Sequence, residues 1–397
     1  MSKEPTFPTS DAGSDAGAHV ADIPEQPVVG ADAAFSGAES SGEDGFADQA
    51  GDGTGMNGTS NIGTSIIGDD EGGTDVLESE EDVTDDSFVT EHVTEHVTVL
   101  ESGLEADSEL NAEPVNPLQT PVLSDVLLAA EELWPESLAE DWDRVGLVVG
   151  RLEARVDRIM FAVDPTHEVI EEALEWGAQL LITHHPLLLK GVNSVAATTG
   201  KGRAIHSLIE GGCALLTVHT NGDSAVGGVS DVLADILKLD EVLPLMPAPN
   251  GLAEEGIGRV GFLPTPEKLG DLAAKVFLTL PAVAGGVRVS GDKDALVRKV
   301  AVCGGAGDSL FDAVRASDAD VFVTADLRHH PASEAREARL DGRPYLIDLS
   351  HFASEWLWLP NAMVALGNVL GDQGFAAELA LSQTNTDPWD FILTPGN

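Results

Sequence analysis

Three short segments in the second half of the chain hold the residues best suited to chemistry. His184 and His185 stand in tandem in LLITHHPLLLKG, Asp223 follows His219 by four in TVHTNGD, and Glu355 follows His351 by four in IDLSHFASEW. Each segment comes after a short apolar run that reads as a buried strand. Imidazoles and carboxylates delivered to strand ends are how an α/β protein assembles a nitrogen-and-oxygen metal site. These residues predict a metalloprotein and, from its chemistry, a hydrolase.

Neighbouring residues of a regular strand point to opposite faces, so a tandem histidine pair seldom serves one ion. Pro186 breaks the ladder directly afterwards, and there the chain can turn so that each histidine serves a different ion. A single ligand beside a core histidine is the plainer alternative. Asp223 lies between the apolar run 214–218 and the Gly227–Gly228 turn. A loop carboxylate there can bind a hard or borderline divalent cation, although an Asx-turn uses aspartate in the same setting. His219 and Asn221 are expected to orient ligands through hydrogen bonds, and Asp231 to cap the helix that follows. His351 and Glu355 share one face if SHFASEWLW begins a helix after PYLID. A carboxylate so placed can bridge two ions, whereas an isolated H-x-x-x-E is equally a solvated helix face.

Other histidines compete for the role. His92 and His96 are also four apart, but they belong to the low-complexity repeat VTEHVTEHVTV. RHHP at His329–His330 lies five residues beyond a strand-ending Thr324 and is not expected to supply a ligand pair, leaving His330 as a proton-transfer candidate. The turn CGGAGDS (303–309) offers backbone N–H groups that could hold a phosphate; tight-turn geometry explains its glycines equally well.

The scaffold for these residues is confined to part of the chain. Residues 1–120 hold 28 acidic side chains against one basic residue, Lys3, with no Trp or Tyr. Such a stretch has too little apolar surface to offset an ordering entropy of about 1–2 kcal/mol per residue. It is expected to be a disordered acidic tail with an unknown partner. The other 277 residues carry 40 acids, 20 bases and all six tryptophans, enough for a large core. The acidic balance argues against DNA or RNA as a partner. No segment approaches about 20 apolar residues, so no membrane span is expected, and the N-terminus lacks a signal-peptide layout. Cys213 and Cys303 have neither disulfide-framework nor metal-ligand spacing and read as half-buried thiols in a reducing cytoplasm.

An internal echo organises the folded part. Residues 156–183 lie over 297–324 at an offset of 141 without a gap. Both stretches read as basic residues, an apolar run, a turn, an amphipathic helix and a second strand ending on threonine (Thr183, Thr324). That is one strand–helix–strand unit made twice. It predicts an α/β fold of two similar, intimately packed halves, 121–250 and 251–397, around a central metal cavity. Parallel strands would bring His184, His185 and Asp223 to one rim.

WDRVGLVVG, ITHHPLL, HTNGD with GGVSD, VFVTADLRHH and IDLSHFASE stand in the order found in the GTP cyclohydrolase I type 2 homologue family, known also through its NGG-one-interacting-factor-three-like members. The chain resembles that family over about 121–390. The resemblance implies a dinuclear metal centre between two α/β halves and a toroidal homohexamer. Matched residue by residue, it implies His185 and Asp223 on one ion, His184 and His351 on the other, and Glu355 bridging. No long domain separates the halves, as in the family's short form. The sequence departs from the usual pattern at Arg144 and Ser230 (asparagine in the family), at Ala325 (glycine), and at Leu349 and Ser350 (often Ala-Gly), which bears on substrate shape more than on metal binding.

The expected function is that of a cytoplasmic dinuclear metal-dependent hydrolase, acting on a nucleotide or phosphate ester through a metal-bridging water. The alternative is a non-catalytic metal-binding regulatory or metal-handling protein. Three histidines and two carboxylates accept Zn, Fe, Mn, Co or Ni, so the ligands do not select the metal.

Overall fold

The structure, a computed structural model, describes residues 118–249 and 251–394. The expectations for the acidic stretch through residue 117, including His92 and His96, fall outside the described residues. Ordered pairing begins just ahead of the expected boundary at 121. The Gln119 N–H donates to the Gly374 carbonyl and its own carbonyl accepts from the Ala376 N–H, both at 2.9 Å.

The duplicated unit is visible in the strand register. In the first copy, β2 (Arg158–Ala162), α2 (His167–Trp176) and β3 (Leu180–Thr183) follow in order. In the second, β8 (Leu296–Ala306), a 3-10 turn with α7 (Phe311–Ala316), and β9 (Val321–Ala325) do the same. β2 and β3 are parallel, pairing Ile159 with Leu180 and Phe161 with Ile182. β8 and β9 are parallel too, pairing Val300 with Val321 and Val302 with Val323. Each pair maps onto its counterpart at the offset of 141 read from the sequence.

Each copy seeds a sheet, and in each the third parallel strand is β4 (Ala214–Thr217) or β10 (Tyr345–Leu349). The first sheet runs β1 (Gly146–Val149), β4, β3, β2, β11 (Glu378–Leu381). The second runs β5 (Asp240–Pro247), β6 (Gly256–Lys268), β8, β9, β10, β7 (Arg288–Ser290). Edge strands β1, β5 and β7 pair antiparallel, as does β6 on both sides. The sheets do not divide the chain at 250. β5 lies before that point yet belongs to the second sheet, and β11 returns from the far end to extend the first beside β2.

Burial explains why the central strands are apolar throughout. Alternate residues of a strand face opposite sides, and both sides here are covered. Ile159, Phe161, Leu180 and Ile182 pack with α1 (Leu123–Leu133) and α10 (Leu359–Asp372), while Met160, Ala162 and Leu181 pack under α2 and α3 (Gly200–Gly211). At about 1.5–3 kcal/mol for each fully buried aliphatic side chain, these layers fix the strands firmly. Helix ends are set locally: Thr166 and Thr199 accept from the N–H groups of Val169 and Gly202, and Gly177 and Gly212 close α2 and α3 in the left-handed conformation. α5 (Val229–Ile236) joins the layers, with Val229 and Val232 in the first core and Leu233 and Ala234 in the second. Among the described residues no helix is long and apolar enough to cross a membrane. Cys213 and Cys303 are free and fully buried, deeper than the half-burial expected; burial pushes the Cys213 thiol up to about 12.

Candidate metal centre

Five strand ends deliver the site. His184 and His185 follow β3 directly, and pairing with the neighbouring strand continues past Thr183: their N–H groups donate to the carbonyls of Ala162 (3.1 Å) and Val163 (2.8 Å). α4 (Thr220–Ser224), after β4, carries Asp223; α9 (His351–Trp356), after β10, carries His351 and Glu355. β2 and β9 contribute Asp164 and Asp326 just beyond their ends. All this lies outside the carboxyl ends of parallel strands, the usual place for a ligand in an open α/β sheet.

Hydrogen bonds fix the state of each imidazole. The Nδ1 of His184 is 2.9 Å from the Val218 carbonyl, which can only accept, so Nδ1 carries the proton. His185 Nδ1 lies 2.7 Å from Asp164 Oδ1, and His351 Nδ1 lies 2.8 Å from Asp326 Oδ2. With Nδ1 donating in each ring, Nε2 is the nitrogen left to take a second proton or to present a lone pair to a metal ion. The three Nε2 atoms converge on Glu355, whose Oε2 is 3.0 Å from His185 Nε2 and whose Oε1 is 3.0 Å from His351 Nε2 and 3.5 Å from His184 Nε2. Asp223 Oδ1 stands 3.7 Å from His184 Nε2.

A cluster of acceptors facing acceptors needs cations. His184 Nε2 and Glu355 Oε2 are buried without a hydrogen-bond partner, although a buried polar atom is ordinarily paired. Protons are one answer. Burial pulls the His185 and His351 imidazoles down, but the Glu355 carboxylate, with Asp164 or Asp326, outweighs it and raises them to about 11 and about 10. Burial works against Glu355 as well, yet His185, His184 and His351 hold its carboxyl well below the usual range. Divalent metal is the other answer. A ligating histidine typically donates its second nitrogen to a carboxylate or carbonyl, as all three do here. The ligand atoms of His185, His351 and Glu355 lie within 4.8 Å of one another, as do those of His184, His185 and His219. The donor set fits metal.

The distances also redraw the grouping implied by resemblance. His185 stands with His351 across Glu355, and His184 with Asp223. The reason lies in the two copies: His351 reaches in from the second sheet and meets the histidine nearest the open cavity, while His184, only 1% exposed, points toward α4.

His219 and Asn221, expected to orient ligands, hydrogen-bond to no ligand side chain among the described residues. His219 Nδ1 lies 2.9 Å from Asp143 Oδ1, and Asn221 ties its Oδ1 to the His219 N–H and its Nδ2 to the Trp134 carbonyl. Burial opposes ionisation of Asp143, but bonds from His219 and Thr220 outweigh it and hold the carboxyl well below its usual range. His330 is not brought to the cluster; it is exposed on the first turn of α8 (His329–Glu337), its ring 5.2 Å from that of His329. Of the CGGAGDS glycines, Gly304 and Gly305 belong to β8 and Gly307 precedes the 3-10 turn Asp308–Leu310. Gly305 makes room for the site, since a Cβ there would lie 2.3 Å from Glu355 Oε1. Asp231 is not the N-cap expected of it: Gly228 holds that position, and Asp231 stands in the first turn of α5, where it accepts from the Gly227 N–H and forms a two-pronged pair with buried Arg259, which reaches the Ala225 carbonyl beside the Asp223 loop.

Asp143, Asp164 and Asp326 are the functional residues that sequence reasoning missed. The signal for two of them was their place one or two residues beyond an apolar strand; Asp326 even adopts a left-handed backbone, φ 55°, which aspartate tolerates better than most residues. Of the departures from the family pattern, Ser350 caps α9 through the Ala353 N–H, Ala325, Leu349 and Ser230 are buried, and Arg144 is exposed and folds back on its own loop.

A cavity of about 1010 Å³ opens on His185 and His351, walled also by Arg288, Arg328, Phe352 and Trp389.

Comparison with known proteins covers the same body. The family model for Duf34/NIF3 (NGG1p interacting factor 3) matches residues 121–388. A Streptomyces coelicolor protein named GTP cyclohydrolase 1 type 2 homolog is 49% identical over 270 residues, covering 68% of this chain and 94% of its own. A Clostridium perfringens protein of the same name is 34% identical, covering 68% and 99%. The solved structure of Staphylococcus aureus protein SA1388 has a TM-score of 0.61 and 28% identity, over 70% of this chain and all of that one. With residues 121–388 matched, the chain belongs to the DUF34/NIF3 (NGG1p interacting factor 3) family.

Proposed function

We propose that the protein is a dinuclear metal-dependent hydrolase acting on a nucleotide or phosphate ester. One observation carries the reading: three imidazoles, each with its Nδ1 proton committed elsewhere, aim their Nε2 atoms at one buried carboxylate. His185, His351 and Glu355 would hold one ion, and His184, Asp223 and Glu355 the other. When bound, such a pair supplies Lewis acidity and lowers the pKa of water toward neutrality. Val218, Asp164 and Asp326 keep the three rings in the tautomer that binds metal. His219, its Nδ1–H held by Asp143, presents Nε2 beside the cluster as a group that can take up or release a proton. The cavity on His185 and His351 has room for a nucleotide-sized molecule. The names of the relatives point toward a nucleotide and support the reading to that extent.

A cytoplasmic homohexamer completes the proposal, as the family resemblance implies. The test is elemental analysis of protein purified without added metal, followed by a screen of nucleotides and phosphate esters on the same sample. Two ions per chain with turnover lost on chelation is the expected result. A single ion at saturating metal would overturn the dinuclear reading. Two tightly held ions with no turnover on any of these substrates would overturn the hydrolase and leave a structural or partner-controlled metal site.

A further inference from the structure

The chain beyond β11 crosses the rim of the first sheet and reaches the metal centre at Thr386 and Asp387. The Ser382 N–H continues the β2 pairing by donating to the Phe161 carbonyl at 2.8 Å. Glu172 on α2 then anchors the segment, accepting from Ser382 Oγ (2.6 Å), the Gln383 N–H (2.7 Å) and Thr384 Oγ1 (2.8 Å). Asn385 Nδ2 donates to the Ala282 carbonyl in the second part of the chain at 2.8 Å.

The next two residues each reach a different ligand-bearing element. Thr386 Oγ1 donates to Asp164 Oδ2 at 2.5 Å. The other oxygen of that carboxylate receives the Nδ1–H of His185. Asp387 accepts from Ser350 Oγ, and Ser350 in turn caps the helix that carries His351 and Glu355. Two adjacent residues therefore back the two histidines whose Nε2 atoms are 3.2 Å apart: Thr386 stands two hydrogen bonds from His185, through Asp164, and Asp387 one hydrogen bond from Ser350, the residue before His351. None of the motifs considered in the sequence contains this segment, TNTDPW.

We propose that Thr386 and Asp387 are positioning residues, a strap that fixes the separation of His185 and His351 and so sets the affinity of the metal position these share with Glu355. A threonine hydroxyl on the far oxygen of Asp164 leaves that carboxylate one orientation in which to hold His185. The Asp387–Ser350 bond fixes the start of α9 against the same peptide stretch. The inference rests on the proposed metal site, and its failure is separable from the failure of that reading.

The test uses the full chain loaded with Zn²⁺ and titrated with a chelator, with bound ions counted by native mass spectrometry. Removing a group that orients a metal-ligating histidine weakens metal binding by about 10–100-fold. Thr386→Val, which keeps shape and removes the donor, should lose one ion at a chelator concentration about tenfold or more below that needed for the wild type. The second ion, nearer His184 and Asp223, should leave at an unchanged concentration. Thr386→Ser should restore wild-type binding, and Asp387→Ala should repeat the loss of the same single ion. The thermal midpoint in excess chelator separates positioning from plain support: it should stay near the wild-type value in Thr386→Val. Equal binding of both ions by Thr386→Val and wild type would overturn the proposal, as would loss of both ions together or a matching fall in the chelated midpoint. A wild type that binds no ion would instead overturn the metal site itself.

Discussion

His185 and His351, one on each sheet's rim, bring their Nε2 atoms to 3.2 Å from each other. When both are neutral and donate through Nδ1, the two imidazoles have only lone pairs to offer across that gap. Something positively charged must lie between or beside them, and Glu355 spans the same space with both oxygens. The site therefore belongs to neither copy of the repeated unit alone. It forms only when the α9 ligands of the second sheet meet the tandem histidines of the first.

The sharing of Glu355 sets the first prediction. Glu355→Ala should lower occupancy at both metal positions, because each uses one of its oxygens. Asp223→Ala should deplete mainly the ion near His184 and leave the one between His185 and His351. Native mass spectrometry under saturating metal reads this directly. A Glu355→Ala protein that still carries two ions per chain would refute the bridging role.

A second prediction concerns His219. Its Nδ1 is committed to Asp143, so its Nε2 can exchange a proton without disturbing Glu355. His219→Gln should retain both ions and lose roughly 10²–10⁴ in turnover, the range for removal of a general acid or base. Replacing His330, exposed on α8, should change turnover little. Metal analysis alongside steady-state kinetics distinguishes the cases: loss of an ion in His219→Gln would make that residue a ligand instead.

Gly305 supplies the third. Its φ of +65° favours glycine, and a Cβ would meet Glu355 Oε1 at 2.3 Å and His351 Nε2 at 3.3 Å. Gly305→Ala should therefore cost about 1–2 kcal/mol from backbone conformation and also displace the shared carboxylate, lowering both ion occupancies. Gly212→Ala is the control, with φ +69° and nothing within 4 Å of the added methyl. It should lose similar stability and keep its metal. Equal metal content in the two variants would show that Gly305 makes no room for the site.

The ligand set was legible because it sits where strand patterns end. LLIT, ALLT and PYLID announce buried strands, and a polar residue just after such a strand projects into the common rim. The register of the repeat was legible too, since β2–β3 and β8–β9 pair at the same offset that aligns their sequences. What local pattern could not reveal is contact between distant segments. Asp164 and Asp326 look like turn residues until His185 and His351 are seen against them. The grouping of His185 with His351 depends on how the two sheets face each other, which no spacing encodes. β11 joins the first sheet from 378, over 200 residues from its partner β2, so the division at 250 followed chain order where the sheets did not. The glycines of 303–309 were ambiguous for a related reason: close approach and anion binding both call for the same small residue.

The last prediction concerns Glu172 and pH. Burial opposes ionisation of its carboxyl, but bonds from the Gln383 N–H and from Ser382 and Thr384 outweigh it, so its folded pKa lies below the ordinary glutamate value of 4.5. For a depressed carboxyl, the contribution to stability is fully present above the unfolded value and is lost as pH falls through the folded one. The strap should therefore hold at neutral pH and loosen only below about pH 4.5. The Gln383 amide reports this directly, because its hydrogen is bonded to Glu172 Oε1. Hydrogen exchange corrected for intrinsic rates should show protection of that amide declining across acid pH in the wild type. Glu172→Gln, which has no charge to offer, should show weakened protection already at pH 7 while β11 remains protected through its pairing with β2. Identical protection in the two proteins at pH 7 would mean that Glu172 does not anchor the segment, and the path from α2 through Thr386 to His185 would lose its first link.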